Sequence, residues 1–306
     1  LEGQERERDH HAETMPGLRR VRRESNSPIL LPFPAAAAYP RTMMIEISRR
    51  TFLQGTAAAL AVGQETAPVW KVGGFTKVLQ ELSFEKTAAT AVDIGWEGIE
   101  CPGRAKGHVL PERVDEDLPK MIEALKAKGL ELLVAATDIR GVDDPHAPKV
   151  LRALAKAGVR LYRHGGWKYK EGQPIAKQLE EFRARLKDLA ALNKELGLTG
   201  LYQNHSGNGY VGASVWDIHE LGKDIAPRHF GVHFDIGHAT LEGGYMWPTT
   251  LRLIQPFLRA IYVKDFLWRK AAGQWKAEWC PLGEGMVDKK FVPLIKNSTF
   301  NGPIVQ

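Results

Sequence analysis

Five short apolar runs of this 306-residue chain end in side chains that could carry out acid–base chemistry. The second run ends at Glu100, and the loop after it contains His108. Four later runs are followed by Trp167, by Gln203-Asn204-His205, by Asp235-Ile236-Gly237-His238 and by Lys264-Asp265. Carboxylates, imidazoles and amines exchange protons with a bound ligand, and amide groups hold its hydroxyl groups in place. These residue types predict proton transfer on a small polar molecule.

The polar side chains form one site only if the runs that carry them lie side by side. A single histidine after a strand is most often a capping or solvated residue. Five polar strand ends on one rim are costly to bury without shared partners. In a closed barrel of parallel strands, the carboxyl ends of all strands meet at one mouth. We therefore expect a site at that mouth.

The elements that position these residues follow from the alternation of apolar runs with longer amphipathic stretches, which predicts βα units and a parallel sheet. The predicted strands are Val69–Phe75, Gly98–Cys101, Leu130–Ala135, Val159–Tyr162, Gly200–Asn204, Phe230–Asp235, Ala260–Lys264 and Pro303–Gln306. Eight such units predict an α/β fold, a (β/α)8 TIM barrel over residues 69–306. No GxGxxG pattern follows the first strand, which disfavours a dinucleotide site. Because the eighth strand runs straight into Gln306, we expect the C-terminal end to be truncated in the eighth unit.

Two further segments precede the predicted barrel. Residues 1–42 are polar and then rich in Pro and Ala, and we expect them to be disordered or a spurious N-terminal extension. Within residues 43–68, Arg49 and Arg50 precede a short apolar stretch, which resembles a twin-arginine export signal. This predicts recognition by the twin-arginine export machinery and a periplasmic or otherwise exported protein. The apolar stretch is shorter than the ~20 residues of a stable membrane span.

The distribution of charge and the two cysteines indicate which binding partners are not expected. The net charge is +6, but the densest run of arginines, Arg19 to Arg23, precedes the predicted barrel, so we expect no nucleic-acid binding. Cys101 and Cys280 lack the spacing of a metal site and are expected to be separate thiols. The sequence does not predict an oligomeric state.

The motifs at the strand ends resemble those of one known family. Gln203-Asn204-His205, Asp235-Ile236-Gly237-His238 and Val263-Lys264-Asp265, in this order, are similar to motifs of the xylose isomerase-like TIM barrels. The stretches Gly107 to Arg113 and Pro281 to Gly285 resemble an exported branch of sugar phosphate isomerase/epimerase-like proteins. The resemblance implies a sugar-type small-molecule substrate.

The resemblance also implies one divalent metal, Mn²⁺ or Mg²⁺, held by Glu, Asp, His and Glu from four strand ends. Asp235 matches the family's aspartate, and His238 matches a histidine that contacts the substrate. Gln203 stands at the first glutamate position and Tyr262 at the histidine position. The predicted metal ligands are therefore Asp235 and, in place of a glutamate, Gln203.

An alternative without a metal follows from the seventh strand, where Tyr262 and Lys264 are expected to share one face. The Lys264 ammonium would stabilise an enediolate-like intermediate, with Asp235 or Glu100 as base. We expect ligand contacts from His108, Asn204, His205, His238, Asp265 and Trp167. A structural alternative is that Lys264 pairs with Asp265 or with Asp235 and holds the rim together.

Three functions fit these residues. The first is a sugar (phosphate) isomerase or epimerase that moves a proton next to a carbonyl. The second is a non-catalytic carbohydrate-binding barrel, and the third is a hydrolase or lyase acting on a sugar derivative. Endonuclease activity is disfavoured because it needs a multi-metal cluster and a basic DNA-facing surface.

Overall fold

The computed structural model describes residues 70–306, whose core is a closed barrel of eight parallel strands. The barrel strands are β1 (Val72–Phe75), β2 (Gly98–Pro102), β3 (Glu131–Ala136), β4 (Leu161–Arg163), β5 (Thr199–Gln203), β6 (Phe230–Asp235), β7 (Leu258–Tyr262) and β10 (Ile304–Val305). The ring closes because β1 pairs with β2 on one side and with β10 on the other. The predicted TIM barrel is confirmed, and all eight predicted strands are present, the sixth with its predicted bounds and the other seven with shifted ends.

Eight α-helices within residues 70–306 follow or flank these strands. They are α1 (Phe84–Ile94), α2 (Val114–Lys126), α3 (Ala147–Lys156), α4 (Ile175–Leu196), α5 (Val215–Gly222), α6 (Ile236–Gly243), α7 (Trp247–Ile254) and α8 (Phe291–Lys296). Gly129, Gly158 and Gly197, which follow helices α2, α3 and α4, have φ angles of 70°, 78° and 67°. The left-handed conformation costs glycine little, so these residues end helices before the next strand.

The apolar core lies mainly between the strands and the helices, in two clusters. One cluster joins β2, β3 and β4 to helices α1 to α4, with Met121 and Leu151 fully buried at its centre. The other joins β5, β6 and β7 to helices α4 to α8, around Phe230 and Phe234. Together the two clusters pack the helices against the outer side of the barrel.

A third, small cluster lies inside the barrel. Val134 of β3, Leu201 of β5 and Ala260 of β7 are fully buried and contact one another. Residues of three non-adjacent strands can meet only across the barrel interior, and such layers from alternate strands fill TIM barrels. This apolar layer leaves the interior positions nearer the C-terminal mouth to polar residues.

An antiparallel hairpin follows β7 and was not predicted. Its strands are β8 (Asp265–Ala271) and β9 (Gln274–Cys280). Ala272 and Gly273 connect them, with φ angles of 48° and 80°. Two positive φ angles in a two-residue loop match the type I′ turn that suits the twist of a hairpin.

The hairpin changes the predicted end of the seventh strand. That strand was expected to run to Lys264, but it ends at Tyr262, and Asp265 already belongs to β8. Lys264 therefore lies in the short connection between a barrel strand and the hairpin. The shared strand face proposed for Tyr262 and Lys264 is wrong, although their side chains do meet.

The proposed extension over residues 1–42 and the proposed signal over residues 43–68 lie outside the described residues. In the part of the chain from residue 70 onward, no helix has the length and apolar character needed to cross a bilayer.

Candidate active site

Asp235 is the centre of the polar cluster at the barrel mouth. It ends β6, is fully buried, and caps α6 by accepting a hydrogen bond from the His238 backbone N–H at 3.0 Å. Its other oxygen, Oδ2, accepts hydrogen bonds from Gln203 Nε2 at 2.9 Å and from Lys264 Nζ at 2.8 Å. The carboxylate is therefore held on both oxygens, by Gln203 of β5, by the first turn of α6 and by Lys264 in the connection after β7.

His238 lies one turn into α6 and shares the Lys264 ammonium. Lys264 Nζ is 3.1 Å from His238 Nε2, and an ammonium can only donate, so Nε2 must carry a lone pair. The ring proton is then on Nδ1, which donates to Ser206 Oγ at 2.7 Å. Burial lowers the pKa of His238 to about 3, opposed by Asp235 and reinforced by Lys264 and His205. His238 is therefore a neutral imidazole with an assigned tautomer.

Lys264 is the charged group of this cluster that reaches solvent. Its side chain is 28% exposed, whereas that of Asp235 is fully buried. The ammonium also lies 4.5 Å from the ring centroid of Tyr262 and 5.4 Å from that of Trp279. Two aromatic faces and one buried carboxylate thus hold a cation at the edge of the cavity.

His205 lies beside His238 but is solvent-exposed. The centroids of the two imidazole rings are 4.2 Å apart, and the His205 centroid is 4.9 Å from the centroid of the Tyr210 ring. His205 Nδ1 is 2.9 Å from the Ser206 carbonyl oxygen, which only accepts, so the ring proton is on Nδ1. Partial desolvation of the ring by its neighbours lowers the pKa of His205 despite that hydrogen bond. His205 Nε2 is left as a neutral acceptor.

A cavity of about 660 Å³ lies against this cluster. It is lined by His205, Ser206, His238, Val263, Lys264, Asp265, Trp279, Cys280, Pro281, Leu282 and Gln306. The predicted site residues His205, His238, Lys264 and Asp265 therefore meet at one mouth. Asp235 and Gln203 lie directly behind them through their hydrogen bonds.

A second charged pair lies among the barrel strands. Glu100 of β2 is fully buried and accepts a hydrogen bond from Arg163 Nε of β4 at 2.7 Å. Its Oε2 has no hydrogen-bond partner among the described residues. The Arg163 guanidinium lies 5.1 Å from the Phe75 ring, which in turn packs edge-on against Tyr262. Glu100 does not line the cavity, so its position does not support its predicted role as a base.

Asn204 is placed to hold the barrel mouth together. Its amide group donates to the Asp235 carbonyl oxygen at 2.9 Å and accepts from the Asp235 N–H at 2.7 Å. Both ends of the amide are thus engaged by backbone, and the side chain is buried. The ligand contact expected of Asn204 is not supported, because the residue pins the end of β5 to the end of β6.

Asp265 likewise has a structural position. Its carboxylate accepts four backbone hydrogen bonds of 2.9–3.0 Å, from residues 266, 283, 285 and 287. Because Asp265 holds the Pro281 to Gly285 segment, it shapes the cavity wall. All of its strong acceptor positions are occupied, so the ligand contact expected of it is not supported.

Two other predicted ligand contacts lie outside the cavity. Trp167 is buried, and its ring stacks on Phe182 at 5.2 Å, so it has no free face for a sugar ring. His108 is buried with Nε2 3.2 Å from the Thr76 carbonyl oxygen, and burial lowers its pKa. Trp167 is a core residue of the loop after β4, and His108 fastens the loop after β2 to the end of β1.

Sequence reasoning missed Ser206 and Trp279 as cavity residues. Ser206 follows the Gln203-Asn204-His205 motif directly, so its position at the mouth was available from that motif. Trp279 lies on the unpredicted hairpin. The sequence signal for that hairpin was the recurrence of aromatic residues at even spacing on both sides of Gly273, at 266 and 268 before it and at 275 and 279 after it.

The residues around Asp235 do not fit a divalent metal. Asp235 Oδ2 faces the Lys264 ammonium and the amide nitrogen of Gln203, and Tyr262 replaces a histidine. Burial raises the pKa of Tyr262, which keeps its hydroxyl neutral. Across residues 70–306, no group of three or more His, Cys, Asp and Glu side chains could hold a metal ion. The positive charge beside Asp235 is supplied by lysine.

Comparison with known proteins gives a family and several structural neighbours. The family profile described as "Xylose isomerase-like TIM barrel" matches residues 88–305. No protein with a curated description matches the chain. The solved structures include 3-keto-D-glucoside 4-epimerase from E. coli, at 15% identity and a TM-score of 0.59, covering 78% of this chain and 91% of that chain.

Two other solved structures show the same fold. A xylose isomerase-like TIM barrel protein from Mycobacterium smegmatis, in complex with magnesium, has 13% identity and a TM-score of 0.61, covering 79% of this chain and 91% of that one. D-psicose 3-epimerase with D-tagatose, from Clostridium cellulolyticum H10, has 14% identity and a TM-score of 0.54, covering 77% and 83%. At these identities the likeness establishes the architecture.

Proposed function

Because the chain belongs to the xylose isomerase-like TIM barrel family, we propose that it is a sugar isomerase or epimerase that transfers a proton next to a carbonyl. The observation that carries this proposal is the partly exposed Lys264 ammonium, held 2.8 Å from buried Asp235 at the cavity. Solved neighbours that act on sugars include an epimerase of a 3-keto-glucoside and an epimerase of psicose. They support a sugar-type substrate.

Lys264 supplies the positive charge that the reaction needs. Removing a proton from the carbon beside a carbonyl moves negative charge onto the carbonyl oxygen. A fixed ammonium next to that oxygen stabilises the enediolate in a way that water, which must reorient, does not. Asp235 positions Lys264, because both of its oxygens are already engaged and it is fully buried.

His205 is placed to act as the base. Its ring is neutral, its Nδ1–H is directed at a backbone carbonyl, and its Nε2 is available at the cavity. It would take the proton from carbon as the C–H bond breaks and the enediolate forms. Return of a proton from the solvent-exposed His205 imidazolium, which exchanges with water, to the neighbouring carbon, with transfer of a hydroxyl proton between the two oxygens, completes an isomerisation. An epimerisation needs in addition a second acid on the opposite face of the sugar.

The family's divalent metal would compete with lysine for this role. One solved neighbour is a magnesium complex. In this chain a metal at Asp235 would have to displace Lys264, which donates to both Asp235 and His238. The proposed proton transfer uses His205 and Lys264 and no metal.

A non-catalytic carbohydrate-binding barrel is the second candidate. Gln203 and Tyr262, at positions where the family has a glutamate and a histidine, are the observation that favours it. It predicts sugar binding without any exchange of carbon-bound hydrogen.

Deuterium exchange separates the two candidates. The protein is incubated in D₂O with a panel of aldoses, ketoses and their phosphates, and carbon-bound deuterium is followed by NMR. The proposed activity gives incorporation next to the carbonyl that is lost in His205→Gln and in Lys264→Met. The control variant Lys276→Met, on the outer part of the hairpin, retains this deuterium incorporation. Sugar binding without incorporation for any member of the panel contradicts the isomerase proposal.

We also propose that the protein is exported through the twin-arginine machinery. The support is the pair Arg49 and Arg50 ahead of a short apolar stretch. Fractionation of cells that express the chain with Arg49→Lys and Arg50→Lys tests this. The double variant should accumulate in the cytoplasm, and an unchanged distribution contradicts the proposal.

A further inference from the structure

We propose that the β8–β9 hairpin carries an aromatic subsite that accepts the second ring of a glycoside whose first sugar occupies the cavity. The inference rests on the proposed function for the placement of the first sugar beside Lys264. It adds a class of ligand: a sugar linked to another ring, either a second sugar or an aromatic group.

The strand pairing places three tryptophans on one face of the hairpin. Directly opposite residues of an antiparallel pair share a face, and so do residues two apart along a strand. Trp279 is opposite Phe266, Trp268 is opposite Ala277, and Trp275 is opposite Lys270. These six residues therefore form one surface, which we call the tryptophan face.

The tryptophan face is open to solvent over most of its length. Trp268, Trp275 and Trp279 are 43%, 64% and 51% exposed. Trp268 packs edge-on against buried Phe266, and Trp275 makes no ring–ring or cation–π contact with any residue from 70 to 306. Large exposed apolar side chains gathered on one surface mark a binding site more often than single ones do.

The opposite face of the hairpin already has its partners. Asp265 on that face holds the segment that follows β9 through backbone hydrogen bonds. Farther out, Arg269 Nε lies 2.8 Å from Glu278 Oε2 on the same side. The hairpin is thus anchored and solvated on one side, and the exposed tryptophans are not needed for that anchoring.

The tryptophan face is continuous with the candidate active site. Trp279 lines the cavity, its ring meets His238 edge-on at 5.0 Å, and the Lys264 ammonium is 5.4 Å from its centroid. From Trp279 to Trp275 the strand advances four residues, which is ~13 Å at the usual rise of a strand. A ligand that reaches from the cavity along this face is longer than one sugar ring.

The chemistry of the face favours an uncharged ring. Indole rings provide flat apolar surfaces that pack on the C–H faces of a sugar or on an aromatic ring. Lys270 is the charged residue of the tryptophan face, whereas Arg269, Lys276 and Glu278 belong to the other one. A single cation beside three tryptophans suits a neutral glycoside better than a polyanion.

Binding of matched ligand pairs tests the proposal. The pairs are glucose with cellobiose, galactose with lactose and xylose with xylobiose, together with the phenyl β-glycosides of the three monosaccharides. Affinity is measured by tryptophan fluorescence and by calorimetry. At least one glycoside should bind about tenfold more tightly than its free sugar, a difference of ~1.4 kcal/mol. Tighter binding of the disaccharide identifies a second sugar ring, and tighter binding of the phenyl glycoside identifies an aromatic group.

The variants Trp275→Ala and Trp268→Ala should each remove about fivefold or more of that preference and leave binding of the free sugar unchanged. Trp216→Ala, at an exposed tryptophan on α5, is the matched control. It should change neither the preference for the glycoside nor the binding of the free sugar. Equal affinity for every sugar and its glycosides overturns the proposal, as does an unchanged preference in both hairpin variants. A wild-type dimer that either hairpin variant makes monomeric also overturns it, because the face would then be a subunit interface.

Failure of this subsite and failure of the isomerase proposal give different results. If free sugars exchange deuterium but glycosides bind no better, only the subsite is excluded. If glycosides bind through Trp275 but none of the free sugars exchanges deuterium, the subsite stands and the proposed reaction does not.

Discussion

Lys264 Nζ lies 2.8 Å from Asp235 Oδ2, so a lysine at the barrel mouth occupies the side of the aspartate that faces the cavity. The same ammonium donates to His238 Nε2, which fixes that ring in a neutral form. One cation therefore contacts the Asp235 carboxylate and the His238 acceptor nitrogen at the edge of the cavity. This arrangement depends on Lys264, two residues past the end of β7, and not on a strand position.

Lys264→Met should abolish most turnover. The variant removes the positive charge beside the developing oxyanion, and loss of one such donor costs about 10²–10³ in kcat. Steady-state kinetics on the substrate found by deuterium exchange measures the effect. Lys264→Arg should retain part of the activity because the charge remains. Full activity in Lys264→Met contradicts the electrophilic role, and Lys276→Met serves as the matched surface control.

The buried pair Glu100–Arg163 should contribute to stability and not to chemistry. Arg163→Met leaves a fully buried carboxylate without its cation, which costs about 3–5 kcal/mol in comparable sites. The double variant Glu100→Gln with Arg163→Met removes the unpaired charge and should recover part of that loss. Urea unfolding of the two variants measures this. A double variant less stable than Arg163→Met contradicts the explanation.

The sequence was sufficient to predict the barrel but not the contacts inside it. The eight strands follow from the alternation of apolar runs with helices, because that pattern is local. The pairing of Glu100 with Arg163 depends on the register of β2, β3 and β4, which no local pattern specifies. The roles of Asp265 and Trp167 were misjudged for a similar reason. Position at a strand end predicts proximity to the mouth, but burial and backbone partners decide whether a side chain is free.

Gly285→Ala should disturb the cavity wall. A Cβ at Gly285 would lie 2.1 Å from Asp265 Oδ1 and 2.5 Å from the Phe266 carbonyl oxygen, so the segment that Asp265 holds must move. We expect a loss of about 1–3 kcal/mol in the free energy of unfolding, as for other overpacked sites, together with weaker ligand binding. Gly243→Ala is the matched control, because its Cβ would meet nothing nearer than 3.9 Å. Equal stability and binding in both variants contradicts this role of the glycine.

The free energy of unfolding should decrease as the pH falls below about 6.5. His238 has a folded-state pKa of about 3, whereas an unfolded histidine titrates near ~6.5. Between these values the unfolded chain binds the extra proton, so stability is full above pH ~6.5 and is lost as the pH falls towards ~3. The pKa of His164, lowered by burial to about 4, acts in the same direction.

His238→Asn should reduce that dependence on pH. Loss of one such group removes at most about 1.4 kcal/mol per pH unit from the slope. Denaturation at pH 7, 6 and 5 gives the slope, and His146→Asn, at a surface histidine of the loop before α3, is the control. If the two variants have the same slope, His238 is not the group that titrates.

Removal of divalent metal should leave the protein active and equally stable. Asp235 already has a cation at 2.8 Å, and Gln203 directs an amide nitrogen at the same oxygen. Elemental analysis after dialysis against a chelator should show far less than one Mn²⁺ or Mg²⁺ per chain. A ligand that binds the folded state raises the melting temperature with concentration, so added Mn²⁺ should leave the Tm unchanged. A Tm that rises with Mn²⁺ in the wild type and rises further in Lys264→Met would show that metal and lysine compete for Asp235. In that case the positive charge in the reaction would belong to the metal.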